Sequence, residues 1–162
     1  MFGIMTASLK NSIKGEHIHV NPLVALENLT LEMAAKVPEN SEHSCWHILH
    51  HIVFWQDLML EALRGKTDVD WPKSNDLSWP KELSKDGTNW DELVQRFKSG
   101  IDEAYGMAEN IESLEALPSW PKVPAFRALM VFGQHNAYHL GEIVATRQAL
   151  GLWPPSSDHK TF

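Results

Sequence analysis

The stretch from about Pro124 to Leu150 constrains this chain most: it is apolar on most sides of a helical wheel and is closed by Gly151 and Pro154-Pro155. A helix that is apolar nearly all round has to be surrounded by other elements, so it is expected at a central position in a helical bundle. Within it, GQHNAYHLGEI (133–143) sets His135 and His139 four residues apart. That spacing turns both imidazoles to one side, about 5–6 Å apart at Cβ, and lets two nitrogens share one metal ion. Two ligands alone make a poor site, so the other helices decide whether a third is supplied.

Three further segments carry helical periodicity. In NPLVALENLTLEMAAKVP, Asn21 is placed as an N-cap and Pro22 at the first helical position, and Leu23, Leu26, Leu29, Met33 and Val37 recur until Pro38. In SCWHILHHIVFWQDLMLEALRG, Ile48, Leu49, Ile52, Trp55, Met59, Ala62 and Leu63 share one broad face, with Asp57, Glu61 and Arg64 opposite and Gly65 as terminator. The third helix opens at NWDE, where Asn89 and Glu92 have capping-box spacing, and continues through Leu93, Phe97, Ile101, Ala104, Ala108 and Ile111. Between the second and third lies KTDVDWPKSNDLSWPKELSKDGT, which has no clear period and two Trp-Pro pairs that force extended chain. Loops of that length in a compact domain are usually functional or mobile. No stretch supports a strand. The reading is all-α: a single domain over residues 1–162, built as an antiparallel four-helix bundle with a long loop between helices two and three.

Nine histidines is a high count for 162 residues, and their positions say more than their number. On the second helix His51 lies on the flank of the apolar face, His47 farther round, and His50 nearly opposite the core. An ion inside a bundle takes inward-pointing ligands from facing helices. His51 is therefore the favoured third ligand, His47 the reserve, and His50 is expected in solvent. Imidazoles suit Zn²⁺, Ni²⁺, Cu²⁺ and Fe²⁺. Three protein nitrogens leave positions open to water or substrate, the pattern of a reactive rather than a structural site.

The formal net charge of −7 speaks against nucleic acid or an anionic membrane as partner. No run approaches the ~18 apolar residues of a membrane span. No charged segment followed by a sustained apolar one marks a leader, and the single cysteine fits a reducing compartment, so the expected location is cytoplasmic. Cys45 reads as an inert buried thiol, since no cationic neighbour in sequence would activate it. Arg147 has two readings, contact with an anionic substrate or a salt bridge to another helix. Trp71, Trp79, Trp90, Trp120 and Trp153 fall in or beside loops, where they either line a pocket or cap the ends of the core.

HSCWHILHHIVFWQ followed farther on by GQHNAYHLGEIVATRQALG resembles the DinB-like superfamily of metal-binding four-helix bundles. There the second helix carries one ligand in a His-hydrophobic pair after a Ser-x-Trp entry, and the fourth carries His-x-x-x-His followed by Gly-Gln-Ile. The resemblance implies a divalent metal ion (zinc, nickel or iron) on His51, His135 and His139. Glu142 stands where that family usually has Gln, either as a surface acid or as a group that orients an imidazole or water. For some members the resemblance implies metal-dependent transfer or isomerisation with low-molecular-weight thiols, in which the ion would hold the thiol as thiolate. Hydrolysis by a metal-activated water is the alternative enzyme reading, and a non-catalytic metal-binding stress-response protein is the alternative class. The resemblance also implies a homodimer, which fits apolar surface on the first and fourth helices.

Overall fold

The computed structural model describes residues 2–81, 90–111 and 114–156. Among these, four helices of more than ten residues carry the fold: α1 (Phe2–Lys14), α3 (Cys45–Leu63), α4 (Trp90–Met107) and α5 (Ala125–Ala149). A one-turn α2 (Leu31–Ala34), 3-10 turns at Val24–Leu26, Asn75–Ser78 and Ala108–Asn110, and a hairpin of β1 (Ala116–Leu117) and β2 (Trp120–Pro124) connect them. Each of α1 and α3 packs against both α4 and α5, which closes a four-helix ring. Its centre is filled by buried side chains such as Ile13, Leu49, Ile52, Leu93, Phe97, Leu129, Phe132 and Ile143. No helix among the described residues is long and apolar enough to cross a membrane.

The all-α expectation and the long second connection hold; the helix directions are more particular than a uniformly antiparallel bundle. Cys45 at the start of α3 meets Ile143 near the end of α5, while His51 meets His139, so these two helices are antiparallel. Between α3 and α4 the ion pairs run in the same sense, Asp57 with Arg96 and Arg64 with Glu103, so these helices are parallel. Lys10 pairs with Glu109 and Lys14 with Asp102, which sets α1 antiparallel to α4. The physical reason is the connection after Arg64: a chain that long can return along the bundle and start the next helix in the same direction.

The helix ends follow the local chemistry. Ser44 caps α3 by accepting from the His47 backbone N–H, and the His47 side chain reaches back to the Ser44 backbone, a capping box with histidine in the usual Glu/Gln place. Beyond its other end Gly65 adopts φ +83°, the left-handed conformation that stops a helix. Pro124 is the N-cap of α5, and Gly151 closes it at φ +69°. The Asn89 cap proposed for α4 lies outside the described residues, and the apolar stripe of that helix gives way to a 3-10 turn before Ile111.

The first helix is not where periodicity placed it. Over 21–37 the chain forms only a 3-10 turn and the four-residue α2. Asn21 Oδ1 accepts from Leu23 N–H at 2.9 Å, Asn28 takes φ +60°, and Thr30 begins a new cap at Met33. Short polar side chains that bond to their own backbone compete with a continuous helix, and Asn tolerates the left-handed region better than other non-glycine residues. The bundle position falls instead to α1, in the segment read only for a leader. The hairpin was equally unexpected. It is only a few residues long, and it delivers Trp120 to the site described next.

Candidate metal centre

Antiparallel packing of α3 on α5 brings His51 opposite His135 and His139. The Nε2 atoms of His51 and His139 stand 3.1 Å apart, and those of His135 and His51 3.3 Å apart. One ligand atom from each of the three lies within 4.8 Å of the others, so this group could hold a metal ion. His51 is 2% exposed and His139 9%. Nitrogens bound at ~2.1 Å to one tetrahedral ion stand roughly 3.4 Å apart, so both measured separations suit a shared ion.

The other ring nitrogens settle which electron pairs face inward. Ser78 donates its hydroxyl hydrogen to the Asn75 carbonyl at 2.5 Å, so its oxygen is left to accept from His51 Nδ1–H at 2.8 Å. The Glu142 carboxylate accepts from His139 Nδ1–H at 2.6 Å. A neutral imidazole has one N–H, so Nε2 of both His51 and His139 carries a lone pair. His135 can donate one hydrogen bond to His51, but nothing covers the 3.1 Å contact between the other two rings. Protonating a ring is opposed by the surroundings. Burial, then the His139 and His135 rings, push His51 down to about 3, and burial with His139 pushes His135 down to about 4. His51 and His135 are thus held neutral, and neutral imidazoles are the form that binds a cation.

The loop between α3 and α4 completes the site. Trp79 is sandwiched between His43 and His51, with centroids 4.0 Å away on each side and interplanar angles of 4° and 13°. Trp71 donates its indole N–H to the Ser119 carbonyl at 2.8 Å and packs against Trp120 at 4.9 Å, which ties the loop to the hairpin. These rings, with Trp55, Tyr138 and all three histidines, line a cavity of about 770 Å³, within the ~300–1,000 Å³ of small-molecule sites. The histidine group is therefore accessible from a cavity rather than closed on all sides.

The remaining candidates sort as follows. His47, the reserve ligand, is engaged in capping α3. His50, expected in solvent, is half-buried with its ring 5.5 Å from that of Trp46, because Trp46 extends the covered face around the helix. Cys45 is wholly buried, and desolvation pushes its thiol up to about 11, in keeping with an inert role. Arg147 does not line this cavity, and among the described residues no carboxylate pairs with it at salt-bridge distance. It is 2% exposed and donates to the carbonyls of Ala25 and Leu152, fastening the 3-10 turn and the C-terminal segment to α5. The tryptophans divide: Trp71, Trp79 and Trp120 line the cavity, Trp90 is in the core, and Trp153 packs over Arg147. Ser78 and Asn75 were missed in the sequence. Nothing in a loop without period shows which hydroxyl reaches a helix, whereas the three-residue step from His139 to Glu142 was a usable signal.

The fold and site together define a helical bundle with a metal-competent tri-histidine group. The chain belongs to the DinB superfamily, whose family profile it matches over residues 21–143. No curated protein and no solved structure matches it.

Two outcomes follow from this geometry. In chelator-treated protein the unfolded chain takes up protons at histidine near pH 6.5, whereas folded His51 and His135 refuse them until about pH 3 and 4. Stability is therefore complete above pH 6.5 and falls as pH drops toward 3–4, by on the order of 2 kcal/mol for each ring at pH 5. Equal melting temperatures at pH 7.5 and 5 would contradict this. Replacing Glu142 with Leu removes the acceptor of His139 Nδ1–H and should weaken zinc binding about 10–100-fold in a chelator competition, with helical content unchanged; unaltered affinity would make Glu142 a bystander.

Proposed function

We propose that His51, His135 and His139 together hold one divalent ion, zinc, nickel or iron, and that the protein is a metal-dependent transferase acting on a low-molecular-weight thiol. The observation that carries this reading is the convergence of three Nε2 atoms at the wall of an open cavity. A storage or structural site has no need of that access.

A divalent ion bound there would hold a thiol as thiolate at neutral pH. The protein's own contribution is orientation and exclusion of water. Ser78 and Glu142 each accept a hydrogen bond from the Nδ1–H of one ligand ring, which fixes the tautomer and turns Nε2 inward. Trp79 lies flat on His51 and limits its rotation. Trp71, Trp120 and Tyr138 bound the space a substrate would occupy. Glu142 is already engaged with His139, which favours a thiol, whose proton is easily lost, over water, which needs a dedicated base. Because Glu142 also lines the cavity and is 40% exposed, hydrolysis is the second reading, with that carboxylate receiving the proton. Ile4 and Met5 on α1 and Met130 on α5 are exposed apolar side chains, and they support the homodimer contact expected of the family resemblance.

The test is turnover of 1-chloro-2,4-dinitrobenzene with a panel of small thiols by zinc-, nickel- and iron-loaded protein. Transfer should vanish on chelation and drop at least 100-fold in His51→Ala and His139→Ala. No turnover with any thiol at full occupancy moves the protein to the non-catalytic metal-binding class, and transfer that survives chelation removes the metal from the reaction.

A further inference from the structure

The cavity beside the histidines has a composition that bears on what enters it. Five aromatic rings line it (Trp55, Trp71, Trp79, Trp120 and Tyr138), and among the described residues no lysine or arginine does. Its one carboxylate, Glu142, is engaged by His139 at 2.6 Å and half in solvent, so it is a weak anchor for a cation. An anionic substrate body would find no cationic side chain to replace its lost hydration, so its desolvation would go uncompensated. Trp71 sends its indole N–H to Ser119 and so offers this cavity carbon rather than a donor. Its ring meets that of Trp120 at 52°, forming a corner of two aromatic surfaces. Flat rings in such a corner gain stacking or edge contacts beyond the area they bury.

From this we infer that the cavity bounded by Trp71, Trp79, Trp120 and Tyr138 binds an uncharged aromatic group, carried by the ligand that reaches the three histidines. The inference deepens the transferase reading and rests on it for the role of that ligand, but the recognition itself depends only on the rings.

For that reason it is tested without metal. The full chain, chelator-treated, is titrated calorimetrically with 2-naphthol, 2-naphthoate and trimethyl(2-naphthyl)ammonium, three probes that share a ring system and differ in charge. The neutral probe should bind at least tenfold more tightly than either charged one. Trp71→Leu and Trp120→Leu should each weaken it about tenfold. Tyr138 is 67% exposed, so Tyr138→Arg can be made at the rim without disturbing the core, and it should shift preference toward 2-naphthoate by at least tenfold. Naphthoate or the ammonium probe binding as tightly as naphthol, no binding by any probe, or folded tryptophan variants with unchanged affinity would each overturn the inference. Failure of the metal reading would show separately, as absence of bound ion with probe binding intact.

Discussion

Two imidazole nitrogens 3.1 Å apart, each carrying a lone pair toward the other, are the constraint around which this site is arranged. Ser78 and Glu142 accept the Nδ1 hydrogens on the far side of those rings, and burial resists adding a proton to His51. Like partial charges at contact distance are unfavourable unless something positive lies between them. A third imidazole, His135, joins at 3.3 Å. The chemistry argued for this DinB-superfamily chain follows from that convergence.

The rest of the fold supports it. Antiparallel packing of α3 and α5 sets the two helices at the level where the three rings meet, and the Ser44–His47 cap and Gly65 mark the limits of α3. Arg147, buried and bonded to two carbonyls, holds the segments flanking the far end of α5 in place. The long connection after α3 does two jobs with one stretch of chain. It returns α4 parallel to α3, and it lays Asn75, Ser78 and Trp79 against His51. A shorter loop would give a simpler bundle and leave His51 without a partner for Nδ1.

What was legible in the sequence was whatever periodicity controls. The apolar α5, the broad face of α3, and the His135–His139 spacing all obey the 3.6-residue repeat, and they led to His51 through geometry alone, with family resemblance pointing to the same three residues. Periodicity misled at 21–37, where apolar residues recur at helical spacing but Asn21, Asn28 and Thr30 divert the backbone. It also overlooked α1, whose sequence mixes polar and apolar residues weakly. His50 was misjudged because a helical wheel shows a residue's own helix and not the side chains that cover it. Ser78 and the Trp71–Trp120 corner depend on contacts between segments far apart in sequence, and no local pattern encodes those.

The central claim is tested most directly by elemental analysis of protein purified without an affinity tag, comparing wild type with His51→Ala and His139→Ala. The account predicts one zinc, nickel or iron ion per wild-type chain and almost none in either variant, with both variants folded. Equal metal content in all three proteins would mean that these histidines do not form the site.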